Sequence, residues 1–276
     1  VDLKRKSLPM NKSIVTAGIY RHFDADYSLE YPTDGFGGWT KIPLELDLDE
    51  TAIVCMHAEK TVRGNVSNWV EFIPRAEWIM ENIFPQLLDS ARKSGMRIIH
   101  VGGGGNYYRK LPGYLKTLEL AGEPQPECIK EQAPSCETRK KLNGIRFDMG
   151  SPGKHNRDFS QLKSDFHENA YPTPNEYIVS DGSQLNLVCR KEGICHLIYI
   201  GFALNWCIDL SPGGMVEMNR YGYLCSTIRQ ATTAVENKES VRGEQHKEHA
   251  LWRVSTRFGF VFDLDDIIET LERKKN

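Results

Sequence analysis

Short runs of continuous apolar residues alternate along this chain with stretches whose apolar positions recur every three to four residues. The clearest run is Thr51-Ala52-Ile53-Val54-Cys55-Met56, and its lack of polar alternation is the pattern of a strand buried on both faces. A helix is predicted over residues 74–94, with Pro74 in its first turn, Ile79, Ile83, Leu87, Leu88 and Ala91 on one face, and Gly95 as the stop. Pro85 should kink or split it. A strand over residues 96–101 completes a strand-helix-strand unit, and right-handed crossover makes that pair parallel. The alternation resumes with strands at 176–180, 196–202, 223–228 and 259–262. Helices are predicted at 183–192, from the turn after residue 203 to about 221, at 244–257 and at 263–274. Ser183 and Asp263 are the expected N-caps. The whole predicts an α/β fold, a three-layer doubly wound, mostly parallel six-stranded sheet with helices on both faces.

Two segments do not fit the alternation. Residues 1–50 are rich in Gly, Pro, Asp and Tyr, show no sustained period, and are read as an extension draped over the core. Residues 106–172 carry many Pro, Lys, Glu and Gly residues and are read as an irregular insertion with one or two short helices, of the kind that is often functional. No Gly/Ser linker divides residues 1–276, so a single domain is expected.

Composition narrows the function classes. The formal net charge of −2 gives no global field for nucleic acid. No apolar run reaches the roughly 18 residues of a membrane span, so no membrane partner is expected. Residues 1–15 lack the apolar run of a secretory signal, and a cytoplasmic protein is expected. The seven cysteines form no C-x-x-C pair and read as reduced thiols, with Cys128 and Cys136 the pair best placed to form a disulfide.

Candidate chemistry gathers at strand ends, where open α/β sheets bind ligands. Cys207 follows the strand at 196–202 and stands near a helix start, where free N–H groups and the dipole favour a thiolate and can hold an oxyanion. Pro212-Gly213-Gly214 is poor helix sequence and limits the dipole's part. His57 and Glu59 follow the strand Thr51–Met56, and His57 is the candidate base for Cys207. Each has a simpler explanation: a buried thiol, a hydrogen-bonded crevice histidine and a solvated glutamate. Gly102–Gly105 hints at a phosphate loop, but no apolar-periodic helix opens after it. His246 and His249 share a helix face with no third ligand in register, so neither a metal nor another cofactor is expected.

The order of these elements resembles the isochorismatase-like cysteine hydrolase superfamily. Thr51–Met56 with His57 is similar to the family's T-A-L-L-V-I-D strand, Gly182-Ser183-Gln184-Leu185 to its G-T-x-L helix, residues 201–208 to G-V-A-T-x-x-C-V, and Gln230-Ala231-Thr232-Thr233-Ala234 to D-A-T-A-A. Residues 85–101 are similar to its first helix and second strand, so the likeness spans about residues 45–270 outside the insertion. The resemblance implies Cys207 as nucleophile toward an amide, ureide or ester of a small molecule. It implies a non-proline cis peptide near Phe202–Ala203, oxyanion donors at the N–H groups of Ala203 and Cys207, and a homo-oligomer, dimer or tetramer. Phe202, Asn205, Trp206 and Trp69 are the expected substrate-binding residues. The family's triad Asp is His57 here. Its Lys position falls near Pro174, and no Lys occurs between Lys163 and Lys191. The expected function is a cysteine hydrolase with His57 as base and Glu59 assisting. The alternatives are a catalytically degenerate ligand-binding or scaffold protein, and the vinyl-ether hydrolysis of isochorismatase itself, which uses acid catalysis and no Cys.

Overall fold

The computed structural model describes residues 12–21, 25–35, 37–60, 71–124, 136–149 and 165–273. Its centre is an eight-stranded sheet. The strands are β1 (Lys12–Arg21), β2 (Gly38–Asp47), β3 (Thr51–Met56), β4 (Arg97–Val101), β5 (Tyr177–Val179), β6 (His196–Gly201), β7 (Leu224–Thr232) and β8 (Val261–Phe262). Their order across the sheet is β2-β1-β8-β7-β6-β3-β4-β5. The strands from β8 to β5 are mutually parallel and correspond to the six expected ones. The sheet as a whole is mixed, because β1 and β2 form an antiparallel hairpin and β1 lies antiparallel beside β8. Within the expected extension, residues 12–21 and 38–47 therefore supply sheet edge. Thr40, Ile42, Leu44 and Leu46 of β2 turn inward and alternate with exposed neighbours.

Side-chain alternation divides the core into two layers. Ile53 and Cys55 of β3, with Ile198 and Ile200 of β6, pack under α1 (Phe72–Asn82), α2 (Phe84–Ser94) and the C-terminal helix Leu264–Arg273. Ala52, Val54, Met56, Leu197 and Tyr199 point the other way and pack under the remaining core helices. Those helices are α3 (Pro112–Ala121) and α4 (Glu137–Met149) of the insertion, then α5 (Gly182–Glu192), α6 (Cys207–Leu210), α7 (Met215–Arg220) and α8 (Gln245–Arg257), of which all but α4 contribute to this core; Leu264–Arg273 is α9. Burial of these apolar faces, at about 25 cal/mol per Å², is the main stabilising term.

Local rules account for most boundaries. The helix expected over 74–94 is split, with α2 restarting at Phe84-Pro85. The helix expected up to residue 221 is broken between Leu210 and Met215. Ser211 is extended ahead of Pro212, and the Tyr199 hydroxyl holds the Gly213 carbonyl at 2.8 Å. The cap of α5 is Asp181 in place of Ser183. The Asp181 Oδ1 accepts the Gln184 N–H at 2.8 Å and the Ser183 hydroxyl at 3.0 Å, satisfying two donors from a cap set before Ser183 in the chain.

Candidate active site

Numbered along the chain, the parallel strands run 3-2-1-4-5-6 across the sheet, so the order reverses between β3 and β6. That switch point is where a doubly wound sheet opens a crevice beyond its carboxyl ends. His57 and Glu59 leave β3 there, and Cys207 follows β6.

The two strand ends are drawn together by Gly201. Its φ is +106°, and a Cβ on it would stand 2.1 Å from the Met56 carbonyl oxygen. With no side chain in the way, the Phe202 N–H donates to that same oxygen at 3.1 Å. A cis peptide joins Phe202 to Ala203. The Ala203 carbonyl then accepts the N–H groups of Trp206 at 3.1 Å and Ile208 at 3.0 Å, and the Leu204 N–H donates to the Thr233 carbonyl at 2.9 Å. Among the described residues the N–H groups of Ala203 and Cys207 find no acceptor. Among the described residues the turn therefore leaves these two backbone donors unsatisfied. Cys207 is half-buried at the first position of α6, a helix of four residues, so the dipole contributes little.

The expected substrate-binding residues divide. Phe202 is buried in the core, stacked on Phe84 at 6.0 Å and edge-on to Phe72 at 6.2 Å. Asn205 clamps Val235, donating to its carbonyl and accepting its N–H, both at 3.0 Å. Trp206 is partly exposed beside Cys207. Trp69 lies outside the described residues, as does Cys128; Cys136 is an exposed free thiol.

On the β3 side, His57 adopts a φ of +48°, uncommon for a residue with a side chain. Its N–H is held by the Val101 carbonyl at 3.2 Å. Burial lowers its pKa to about 4, so the ring is neutral at neutral pH. No hydrogen bond joins His57 to Cys207 among the described residues. Glu59 is anchored away from solvent. Its Oε1 accepts the Tyr107 hydroxyl at 2.6 Å and the Gly103 N–H at 2.8 Å, and burial pushes its carboxyl up against the opposing pull of those two donors. The glycine loop exists for this packing. A Cβ on Gly103 would stand 2.1 Å from the Glu59 carboxylate, and one on Gly102 would stand 2.4 Å from the Tyr108 ring. Packing thus accounts for two of the loop's four glycines, and Gly105 is set apart by its φ of +116°. The end of the insertion fixes the same segment: the Lys60 N–H donates to the Asp165 carbonyl, the His167 N–H to that of Ala58, and Glu59 pairs with Phe166.

Sequence reasoning missed two elements of the site. Tyr107, which holds Glu59, was legible only as an aromatic after glycines. Asp209, two residues beyond Cys207, is buried and ion-paired to Arg253 of α8, with its second oxygen unpartnered and its carboxyl raised by burial. No sequence signal links positions 209 and 253. At the end of β5 the chain passes into Ser180 and the cap Asp181. No group of three or more His, Cys, Asp or Glu residues able to hold a metal occurs among the described residues, and no described helix is long and apolar enough to cross a membrane.

The ureidoacrylate amidohydrolase RutB of Serratia proteamaculans (strain 568) is 26% identical over 189 residues, 67% of this chain and 66% of that enzyme. The enzyme of the same description from Stutzerimonas stutzeri (strain A1501) is 24% identical over 234 residues, 81% of this chain and 83% of its own. A cysteine hydrolase from Pseudomonas syringae pv. phaseolicola 1448A superposes with a TM-score of 0.49 and 14% identity, covering 83% of this chain and 95% of that structure. No protein-family model matches the chain.

Proposed function

We infer that the chain is a divergent member of the isochorismatase-like cysteine hydrolase superfamily and hydrolyses a non-peptide C–N bond of a small amide or ureide. The observation that carries this reading is the turn from Gly201 to Cys207, with a thiol at its end and two N–H groups open within it. In the proposed cycle the Cys207 sulfur attacks the carbonyl carbon and its proton passes to His57. A C–S bond forms, and the negative oxygen is received by the N–H groups of Ala203 and Cys207. The C–N bond then breaks, and His57 returns the proton to the departing nitrogen. Water cleaves the thioester, releasing the acid and restoring the thiol. Burial makes the His57 ring a weak base, so it takes the proton only as the C–S bond forms. A thiolate–imidazolium pair at rest would require a higher pKa.

A second reading, ligand binding without turnover, draws support from the missing lysine and from the absence of a bond between His57 and Cys207 among the described residues. Turnover of a panel of small amides and ureides by wild-type and Cys207→Ala protein separates the two. The hydrolase reading expects release of ammonia or amine that falls by about 10³-fold or more in the variant. Equal release by both proteins sinks it.

A further inference from the structure

A second recess lies outside this site, at the carboxyl end of β7. It measures about 360 Å³ and is walled by Pro74, Arg75, Trp78 and Ile79 of α1, Thr233 after β7, and Glu244 and Lys247 at the start of α8. One wall is apolar: Pro74, Ile79 and the exposed ring of Trp78. The other holds two cations that lack close partners among the described residues. Arg75 donates through Nη2 to the Val241 carbonyl at 2.8 Å, but its Nη1 is buried with no acceptor. The Lys247 side chain is only 12% exposed, and the nearest carboxylate oxygen to its Nζ is Glu244 Oε2 at 3.9 Å. Burial lowers its pKa, against the pull of Glu244 and Glu248.

Glu244 sits between these cations without closing on either. Its Oε1 is 3.8 Å from Arg75 Nε, so both ionic contacts exceed hydrogen-bond length, and its hydrogen bond in the recess is a long one, 3.4 Å from the Thr233 hydroxyl. It stands in the left-handed region at φ +46°, outside the helix it precedes. Glu71 at the rim balances the charge. A recess with an apolar wall, a guanidinium short of one acceptor and a nearly buried ammonium short of all of them is suited to an anion attached to a flat apolar body. A carboxylate is the matching group, because the Glu244 carboxylate already occupies the space between the cations at long range.

We propose that this recess binds a small organic carboxylate, with Arg75 and Lys247 holding its oxygens, Trp78 covering its body, and Glu244 as the internal group it displaces. The proposal stands independently of the role of Cys207. Calorimetric titration with benzoate, and with benzamide as the neutral control, tests it on the full chain. Benzoate is expected to bind wild-type protein, benzamide to bind at least tenfold more weakly, and Lys247→Met to weaken benzoate by about tenfold or more. Glu244→Gln removes the internal competitor and is expected to tighten benzoate several-fold, a gain that misfolding cannot produce. The proposal is overturned by absence of benzoate binding, by equal binding of benzamide, or by Glu244→Gln weakening benzoate as much as Lys247→Met does.

Discussion

The carboxyl ends of β6 and β3 face each other across the switch point and differ in kind. The β6 end is a bare backbone device. Gly201 hugs Met56, the peptide after Phe202 is cis, and the N–H groups of Ala203 and Cys207 are left open. The β3 end is a side-chain device. His57 is half-buried and its ring is neutral at neutral pH, and Glu59 is locked to Tyr107 and Gly103. The first keeps the cysteine, the cis peptide and the two N–H donors that the resemblance implies, although Leu204 stands where the family has threonine. The second departs further, since histidine stands where the family has aspartate and the lysine is missing. Backbone geometry survives sequence drift because it needs few particular residues. A proton relay depends on the identity of each side chain.

The sharpest way to break this contrast is at His57. If the ring moves the proton, His57→Gln lowers kcat by about 10²–10⁴-fold with the melting temperature nearly unchanged. Turnover by His57→Gln at the wild-type rate would leave the β6 turn as the whole apparatus.

A second test uses pH. His57 and His196 are each lowered to about 4 by burial. Above pH 6.5 both are neutral whether folded or unfolded. As pH falls from 6.5 to 4 the unfolded chain takes up protons that the folded chain refuses, so stability falls across that window, by a few kcal/mol in all at most. Denaturant titrations at pH 7 and pH 4.5 measure the loss. His57→Gln should reduce the difference, whereas a wild-type stability flat between these pH values contradicts the burial of both rings.

The smallest effect concerns the scaffold under Glu59. Gly103→Ala forces a Cβ against the carboxylate, and a stability loss of about 1–3 kcal/mol is expected. Glu59→Gln relieves little of that clash, because the amide fills the same space. A fully tolerated Gly103→Ala would show the loop free to move.

Legibility in the sequence followed the strength of the pattern. β3 and β6 are buried at every position and apolar after their first residues, Thr51 and His196, and both were readable. The β1–β2 hairpin was not, because its outward positions include Trp39 and Pro43, which blur the alternation of apolar and polar residues. Trp39 is tolerated there under the Arg229 guanidinium, 5.0 Å from its ring, and edge-on to Tyr20. Cys207, His57 and Glu59 were legible as strand-end residues. Their fixing partners were not, since Tyr107 reaches Glu59 across 48 positions and Arg253 reaches Asp209 across 44. Nor did periodicity show that Asn205 would bind backbone, because both ends of its amide are engaged only once Val235 folds beside it.

The central claim is that Cys207 is the attacking group, and mass spectrometry with peptide mapping of the protein quenched during turnover of a small amide or ureide tests it most directly. The exposed thiols of Cys136 and Cys195 serve as internal references. The account predicts an acyl or carbamoyl group on Cys207 and on neither reference. Turnover with no such group on Cys207, or with Cys136 modified to the same extent, would contradict it.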